Sequence, residues 1–251
     1  MTPKLDTAGT LERIFEMYSR QFGVLLPAAL IIYLPVAIFQ VIAGTNFVLL
    51  LLASIFALIA GTLFQGAVVQ AVRDMQDGKR DFSVGELISS AVPFIAPLLG
   101  AGILAGLGIG IGLILLIVPG LFLLTIWAVI APVIVVEKTG VFPAFGRSRE
   151  LVKGQGWRVF GVLIVMFLIT IIAQQILLVI GEGIGDEIGR GVGFLVAATL
   201  TAPLGALTAA ILYFTLKGLK GEAAAPPVES APPADSPFGG PASGGPSPFG
   251  Q

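Results

Sequence analysis

The chain is 251 residues long, 56% hydrophobic and 12% charged, with a net charge of −1 and a mean hydropathy of +0.98. An ordinary soluble domain carries about 25% charged residues, so this composition excludes one. Cysteine and histidine are both absent. Their absence removes disulfides, thiolate metal sites, cysteine nucleophiles, the commonest metal ligand and the usual general base.

Four stretches, 21–72, 87–136, 159–181 and 191–216, carry no charge. One helical crossing of a bilayer needs about 20 apolar residues. The first two stretches therefore hold two crossings each and the last two hold one each. The N-terminal MTPKLDTAGTLER has no basic segment running into an apolar core, so no cleaved signal peptide is expected.

Leu11, Ile14, Phe15, Tyr18 and Phe22 then recur at helical spacing with Glu12, Arg13, Glu16 and Arg20 opposite, which predicts an amphipathic helix. The first crossing runs from about Gly23 to Gly44 and the second from about Phe47 to Ala71, separated by Thr45-Asn46. Ser83 and Glu86 fit a capping box, with Phe82 and Leu87 as its hydrophobic staple, and predict a short helix over Val84–Ala91.

The third crossing runs from about Pro93 to Val118 and the fourth from Leu121 to Val136. Pro119-Gly120 is the expected turn, because Pro presets φ and Gly supplies φ > 0. The fourth crossing rises only about 24 Å against a core of ~30 Å. A kinked or re-entrant segment, or a break displaced from Pro119, is the alternative. Phe142, Phe145 and Leu151/Val152 oppose Arg147, Arg149 and Lys153 on a third amphipathic segment. The fifth crossing covers about Val159–Ile180 and the sixth Val192–Leu216.

The reading is an all-α polytopic membrane protein. It has six transmembrane helices as three hairpins, each preceded by a short amphipathic helix in the headgroup plane. A faint echo supports a structural repeat: 22–26 reads FGVLL and 160–164 reads FGVLI. An interfacial anchor before each hairpin would give the same pattern without one. Residues 1–220 form the membrane domain. Residues 221–251, rich in Pro, Gly, Ala and Ser, form a tail expected to be disordered and cytoplasmic. Its two SPFG copies, anchored on Phe238 and Phe249, are either a short binding motif or part of a solubilising low-complexity segment.

Six crossings put Lys4, Arg13, Arg20, Arg73, Lys79, Arg80, Lys138, Arg147, Arg149, Lys153, Arg158, Lys217 and Lys220 on one side, against Arg190 alone on the other. The positive-inside rule makes that basic side cytoplasmic, with both termini.

Within the spans, 100–105 (GAGILA) formally fits a dinucleotide-binding pattern. No strand precedes it and it lies at bilayer depth, so helix packing through Gly102, Gly106 and Gly110 at i+4 is the better reading. The partner helix belongs to this chain or to a second copy. Gln65, Gln174 and Gln175 are the polar intramembrane candidates, as interhelical hydrogen bonds or as the lining of a polar cavity. Pro27, Pro35, Pro97, Pro132 and Pro203 lie inside spans and can kink them. No ionisable residue lies within a span, which argues against proton coupling and against embedded acid–base chemistry. Glu137, leaving the fourth crossing, is expected to pair with Arg147 or Arg149, with Arg158 near in sequence, and so to pin the third amphipathic helix to the bundle.

The segment from Pro119 to Gly161 carries a resemblance. Pro119-Gly120, Trp127, Pro132, Glu137, AFGRSRELVK over 144–153 and Trp157 to Gly161 resemble the membrane domain of bacterial glycerophosphoryl diester phosphodiesterases and related stand-alone membrane proteins of unknown function. Its most specific part is Arg147-Ser148 followed by Trp157-Arg158. The resemblance covers about residues 8–218 and implies a six-helix inner-membrane module. In two-domain relatives the hydrolase is a separate soluble domain that uses histidine and metal-binding carboxylates. No catalytic residue maps onto this chain.

The functional expectation is a non-enzymatic membrane module that scaffolds a protein partner of unknown identity or interacts with lipid. Anionic lipid is expected at the basic face, and no cofactor, metal or nucleic acid is expected. The rival is a transporter or channel for a small or amphiphilic solute.

Overall fold

The structure, a computed structural model, describes residues 4–76 and 83–222. Lys79, Arg80, Phe82 and the 223–251 tail lie outside the described residues. Among those described, the chain forms α1 (Thr7–Arg20), α2 (Phe22–Ala43), α3 (Phe47–Gln76), α4 (Val84–Ala91), a 3-10 turn (Val92–Phe94) and α5 (Ile95–Leu115). These are followed by α6 (Ile117–Ile126), α7 (Ile130–Glu137), α8 (Val141–Val152), α9 (Gly156–Ile184) and α10 (Asp186–Leu219). Among the described residues six segments are long and apolar enough to cross a membrane: Phe22–Ala43, Phe47–Gln76, Val84–Leu115, Ile117–Glu137, Gly156–Gly183 and Glu187–Leu219. The protein is an all-α, multi-pass membrane protein.

The bundle is built around α10, which packs on α9, α2, α3 and α1 and also touches α7 and α8. Two thirds (67%) of its apolar window is buried, against 6% for α9 and 11% for the third crossing. Alanines explain the difference. Ala197, Ala198, Ala206, Ala209 and Ala210 are all buried on α10 and let neighbouring backbones approach. Where α9 turns into α10 the two backbones approach closely: a Cβ on Gly181 would stand 2.6 Å from the Gly193 Cα. The outward faces of α5 and α9 are apolar side chains, as a lipid-facing surface must be.

Local sequence explains the starts of α1, α3 and α4. Asp6 caps α1 through Ala8 N–H (3.1 Å), and Asn46 caps α3 through Leu49 N–H (3.1 Å). Ser83 and Glu86 make both capping-box bonds at 3.2 Å. Helix α4 then runs through the 3-10 turn directly into α5, so this amphipathic helix is the lead-in of the third crossing rather than a separate piece. Pro93 and Pro97 fall in first turns, where their missing N–H groups have no intrahelical partner to lose.

The three amphipathic helices are not equivalent. Helix α1 lies mainly on α10 and α9, α4 on α3 and α2, and α8 on α7, α5, α6 and α10.

The chain departs from the expected turn at Pro119-Gly120. The break between the third and fourth crossings is Leu116, in extended conformation (φ −158°, ψ 134°). Pro119 sits in the first turn of α6, and Gly120 is helical. Gly120 serves packing instead: a Cβ on Gly112 would lie 2.9 Å from the Gly120 Cα, so the two glycines let α5 and α6 meet. The fourth crossing is therefore longer than expected, Ile117–Glu137, and is interrupted at Trp127–Val129. Pro132 accounts for the interruption, because it cannot donate to the Ala128 carbonyl and its ring opposes it. The chain there tightens into i→i+3 bonds, Ala128 N–H to Thr125 O (3.4 Å) and Ile130 N–H to Trp127 O (3.3 Å).

Candidate functional site

Polar chemistry concentrates at one end of the bundle, where α3, α7 and α10 finish, α9 begins, and α8 lies across. The opposite end holds Arg190, 3.7 Å from Glu187. At the basic end one carboxylate is the centre. Glu137 is the last residue of α7, and its Oε1 accepts from Tyr213 OH on α10 (2.9 Å). Arg147 on α8 donates through Nε to Glu137 Oε2 at 3.0 Å and Oε1 at 3.2 Å. Lys217, one turn beyond Tyr213, stands 3.9 Å from Glu137 Oε1 and donates to the Tyr213 hydroxyl at 3.2 Å.

Arg147 also reaches Glu150 (3.1 Å) and Glu222. Lys220 donates to the Glu150 carbonyl (2.5 Å). Glu137 and Arg147 are 18% and 21% exposed at the side chain, so the pair is partly shielded from water. The hydrogen bond to Glu222, reinforced by Glu137 and Glu150, raises the Arg147 pKa further against the opposing effect of burial. The same bond from Arg147 holds the Glu222 carboxyl below its ordinary range.

Ser148, fully buried beside Arg147, closes the interruption in the fourth crossing. Its hydroxyl donates to Ile126 O (2.8 Å) and lies 3.4 Å from Val129 N–H. A side chain from α8 thus satisfies backbone groups that Trp127–Val129 leaves open, as a buried backbone at membrane depth requires. Trp127 fixes the same joint. Its ring packs edge-on against Phe145 of α8 at 4.9 Å and fills the space over Gly108, where a Cβ would stand 2.7 Å from it.

The sequence-derived candidates divide accordingly. Glu137 and Arg147 come together. Arg149 is exposed on α8, and Arg158 turns elsewhere, donating to Leu5 O (3.2 Å) while the Gln155 side chain accepts from Leu5 N–H (3.1 Å). That clamp ties the start of α9 to the segment before α1.

Gly102, Gly106 and Gly110 have no neighbour within 4 Å of a would-be Cβ, so among the described residues no helix packs on them. The close approaches use Gly108 and Gly112 instead. Gln65 lies on α3, whereas Gln174 and Gln175 lie on α9, and Gln175 is exposed. Sequence reasoning missed Tyr213, Lys217 and Glu222. The i, i+4 spacing of Tyr213 and Lys217 puts both on one face, which was the available signal. Glu222 lies just beyond the membrane domain as drawn from composition.

Next to the cluster is a surface-open cavity of about 520 Å³. Gln70 and Arg73 of α3, Pro93, Phe94 and Pro97 before and within α5, Ile134 of α7, and Lys138 and Thr139 of the α7–α8 turn line it. Lys138 is left-handed (φ 51°, ψ 37°), the one non-glycine residue with positive φ among those described. None of Gln65, Gln174 and Gln175 lines this cavity.

The chain is similar to a UPF0259 membrane protein of Pectobacterium carotovorum subsp. carotovorum, with 38% identity over 121 residues. The similarity covers 48% of this chain and 46% of that protein, so the match spans less than half of the relative's length. UPF0259 is an uncharacterised membrane family, and nothing in the match links it to glycerophosphoryl diester phosphodiesterases. No family model matches the chain, and no solved structure matches it.

Proposed function

We propose that the chain is a non-enzymatic module of the bacterial inner membrane that holds anionic lipid at its basic end and offers helix α8 as a platform to a protein partner. Both termini are then cytoplasmic, following the Lys/Arg asymmetry. The observation that carries the reading is the way α8 is held. Arg147 and Ser148 are spent on the bundle, which leaves Arg149 and Lys153 exposed beside the strongly exposed Phe142 and Trp157 (78% and 86%). Cations interleaved with exposed aromatics suit the headgroup layer, where each well-placed Lys or Arg is worth about 1 kcal/mol toward an anionic surface.

The likeness to the membrane domain of glycerophosphoryl diester phosphodiesterases belongs with this proposal as a likeness of architecture. Its most specific residues, Arg147, Ser148 and Arg158, make structural contacts in this chain. The test is mass spectrometry of the full chain released from native membranes with its lipids. Enrichment of phosphatidylglycerol and cardiolipin over phosphatidylethanolamine is expected, and retained lipid of bulk composition would refute the lipid part. Crosslinking from Cys introduced at Arg149 or Lys153 should capture one defined neighbour. A smear of abundant membrane proteins would refute the platform.

The cavity at the basic end favours one rival, a carrier for a small amphiphile. Solute flux in reconstituted liposomes would establish that rival, and tight vesicles would dismiss it.

A further inference from the structure

The cavity at the end of α3 has a chemical polarity of its own. Among the described residues its lining includes two cations, Arg73 and Lys138, and no carboxylate. Among the described residues neither cation has an ion-pair partner. The remaining polar groups are the Gln70 amide and the Thr139 hydroxyl. The hydroxyl oxygen is buried and makes no hydrogen bond among the described residues. A buried hydroxyl without a partner is destabilising, and native proteins leave few of them. The lining also includes the apolar Pro93, Phe94, Pro97 and Ile134.

Lys138 adds an independent sign. A side chain in the left-handed region costs roughly 1–2 kcal/mol that glycine would not, and strain of this kind clusters at ligand sites. Here Lys138 lines the cavity from a turn where glycine would serve the backbone better.

We infer that this cavity binds the phosphate of an amphiphilic phosphate ester, with Arg73, Lys138, Gln70 and Thr139 taking the phosphate oxygens and Phe94 and Ile134 contacting the organic part. Two cations and two neutral donors match the charge and acceptor count of a phosphate. A volume of about 520 Å³ is in the range of small-molecule sites and exceeds what a bare phosphate fills. The position at the membrane boundary allows two sources, a phospholipid headgroup or a water-soluble phosphate ester. The inference deepens the lipid-holding reading above and rests on it for the first source only.

The test uses the full chain in a neutral maltoside detergent. Its thermal unfolding is followed against short-chain phosphatidylglycerol, short-chain phosphatidylcholine, glycerol 3-phosphate and inorganic phosphate. A saturable upward shift with phosphatidylglycerol is expected. Arg73→Gln with Lys138→Gly should weaken it about twenty-fivefold, from about fivefold per cation. Arg13→Gln with Arg20→Gln removes the same charge on α1 at the same end, and should change it less than about threefold.

Lys138→Gly and Thr139→Val should each leave ligand-free unfolding unchanged or raised, because one relieves strain and the other removes an unpartnered hydroxyl. Both should still lower affinity, a combination that a merely structural role would not produce. Glycerol 3-phosphate binding as tightly as the lipid assigns the site to a soluble ester, whereas tighter lipid binding assigns it to the headgroup. Two outcomes overturn the site: equal losses in the cavity and α1 variants, or no response to any phosphate. In the first case lipid enrichment on the native protein persists and the broader reading stands. In the second case, with enrichment also absent, both fail.

Discussion

Helices α1 and α8 both carry an amphipathic sequence pattern, both lie at the basic end and both precede a long apolar helix, yet they are attached by different physics. Helix α1 rests on α10 and α9 mainly through apolar contacts such as the fully buried Ile14. It adds one long-range polar bond from its own residues, Tyr18 OH to Leu200 O (3.1 Å). Helix α8 supplies atoms that the bundle lacks: Ser148 completes a broken crossing, and Arg147 gathers α7 and α10 around one carboxylate. An amphipathic pattern therefore says that a helix has an apolar face. It does not say whether the helix is an anchor on the bundle or a part of it.

Substitutions can break that contrast. The largest effect is expected from Ser148→Ala, which leaves Ile126 O and Val129 N–H without their partner at the joint. Loss of about 2 kcal/mol is expected, read as a drop in unfolding midpoint, and a loss no greater than that of Tyr18→Phe would abolish the distinction. Next comes the Glu137–Arg147 coupling. A double-mutant cycle with Glu137→Gln and Arg147→Met should return about 1–2 kcal/mol, between exposed and fully buried pairs. A charge swap would not restore the pair. Arg at 137 would face Lys217, and Glu at 147 would face Glu150 and Glu222.

Tyr18→Phe on α1 should cost about 0.6 kcal/mol, the average for such bonds in membrane bundles.

The smallest effect is that of pH on Glu222. Its carboxyl titrates below its ordinary value of 4.5 because of Arg147. Its contribution is present above that value and is lost as pH falls through the lower folded pKa. Crosslinking of residue 222 to α8 should therefore weaken only below about pH 4.5. Weakening between pH 5 and 7 would contradict the assignment.

How much of this was legible depended on distance along the chain. The crossings could be read because a charge-free run is a local property, and the Ser83–Glu86 cap because its partners are three residues apart. The interruption at Trp127–Val129 was not legible, since its repair comes from Ser148, 19 residues beyond Val129. The glycine-rich α5 offers more than one i+4 stripe. Gly108 and Gly112 are used rather than Gly102, Gly106 and Gly110, because Trp127 and Gly120 arrive on that side. Glu137 could be paired with Arg147 or Arg149 from its position at an interface, and the choice of Arg147 needed the packing of α8. The role of Tyr213 required knowing that α10 is central.

Because the chain contains no cysteine, maleimide labelling of single introduced cysteines tests the central claim most directly. Ala144 faces the bundle and is fully buried, while Arg149 on the same helix is exposed. In proteoliposomes, Arg149→Cys should label rapidly and Ala144→Cys should stay protected until Ser148→Ala is added. Equal labelling at the two positions with Ser148 intact would contradict the account, because α8 would then be lying in the headgroup layer rather than completing the bundle.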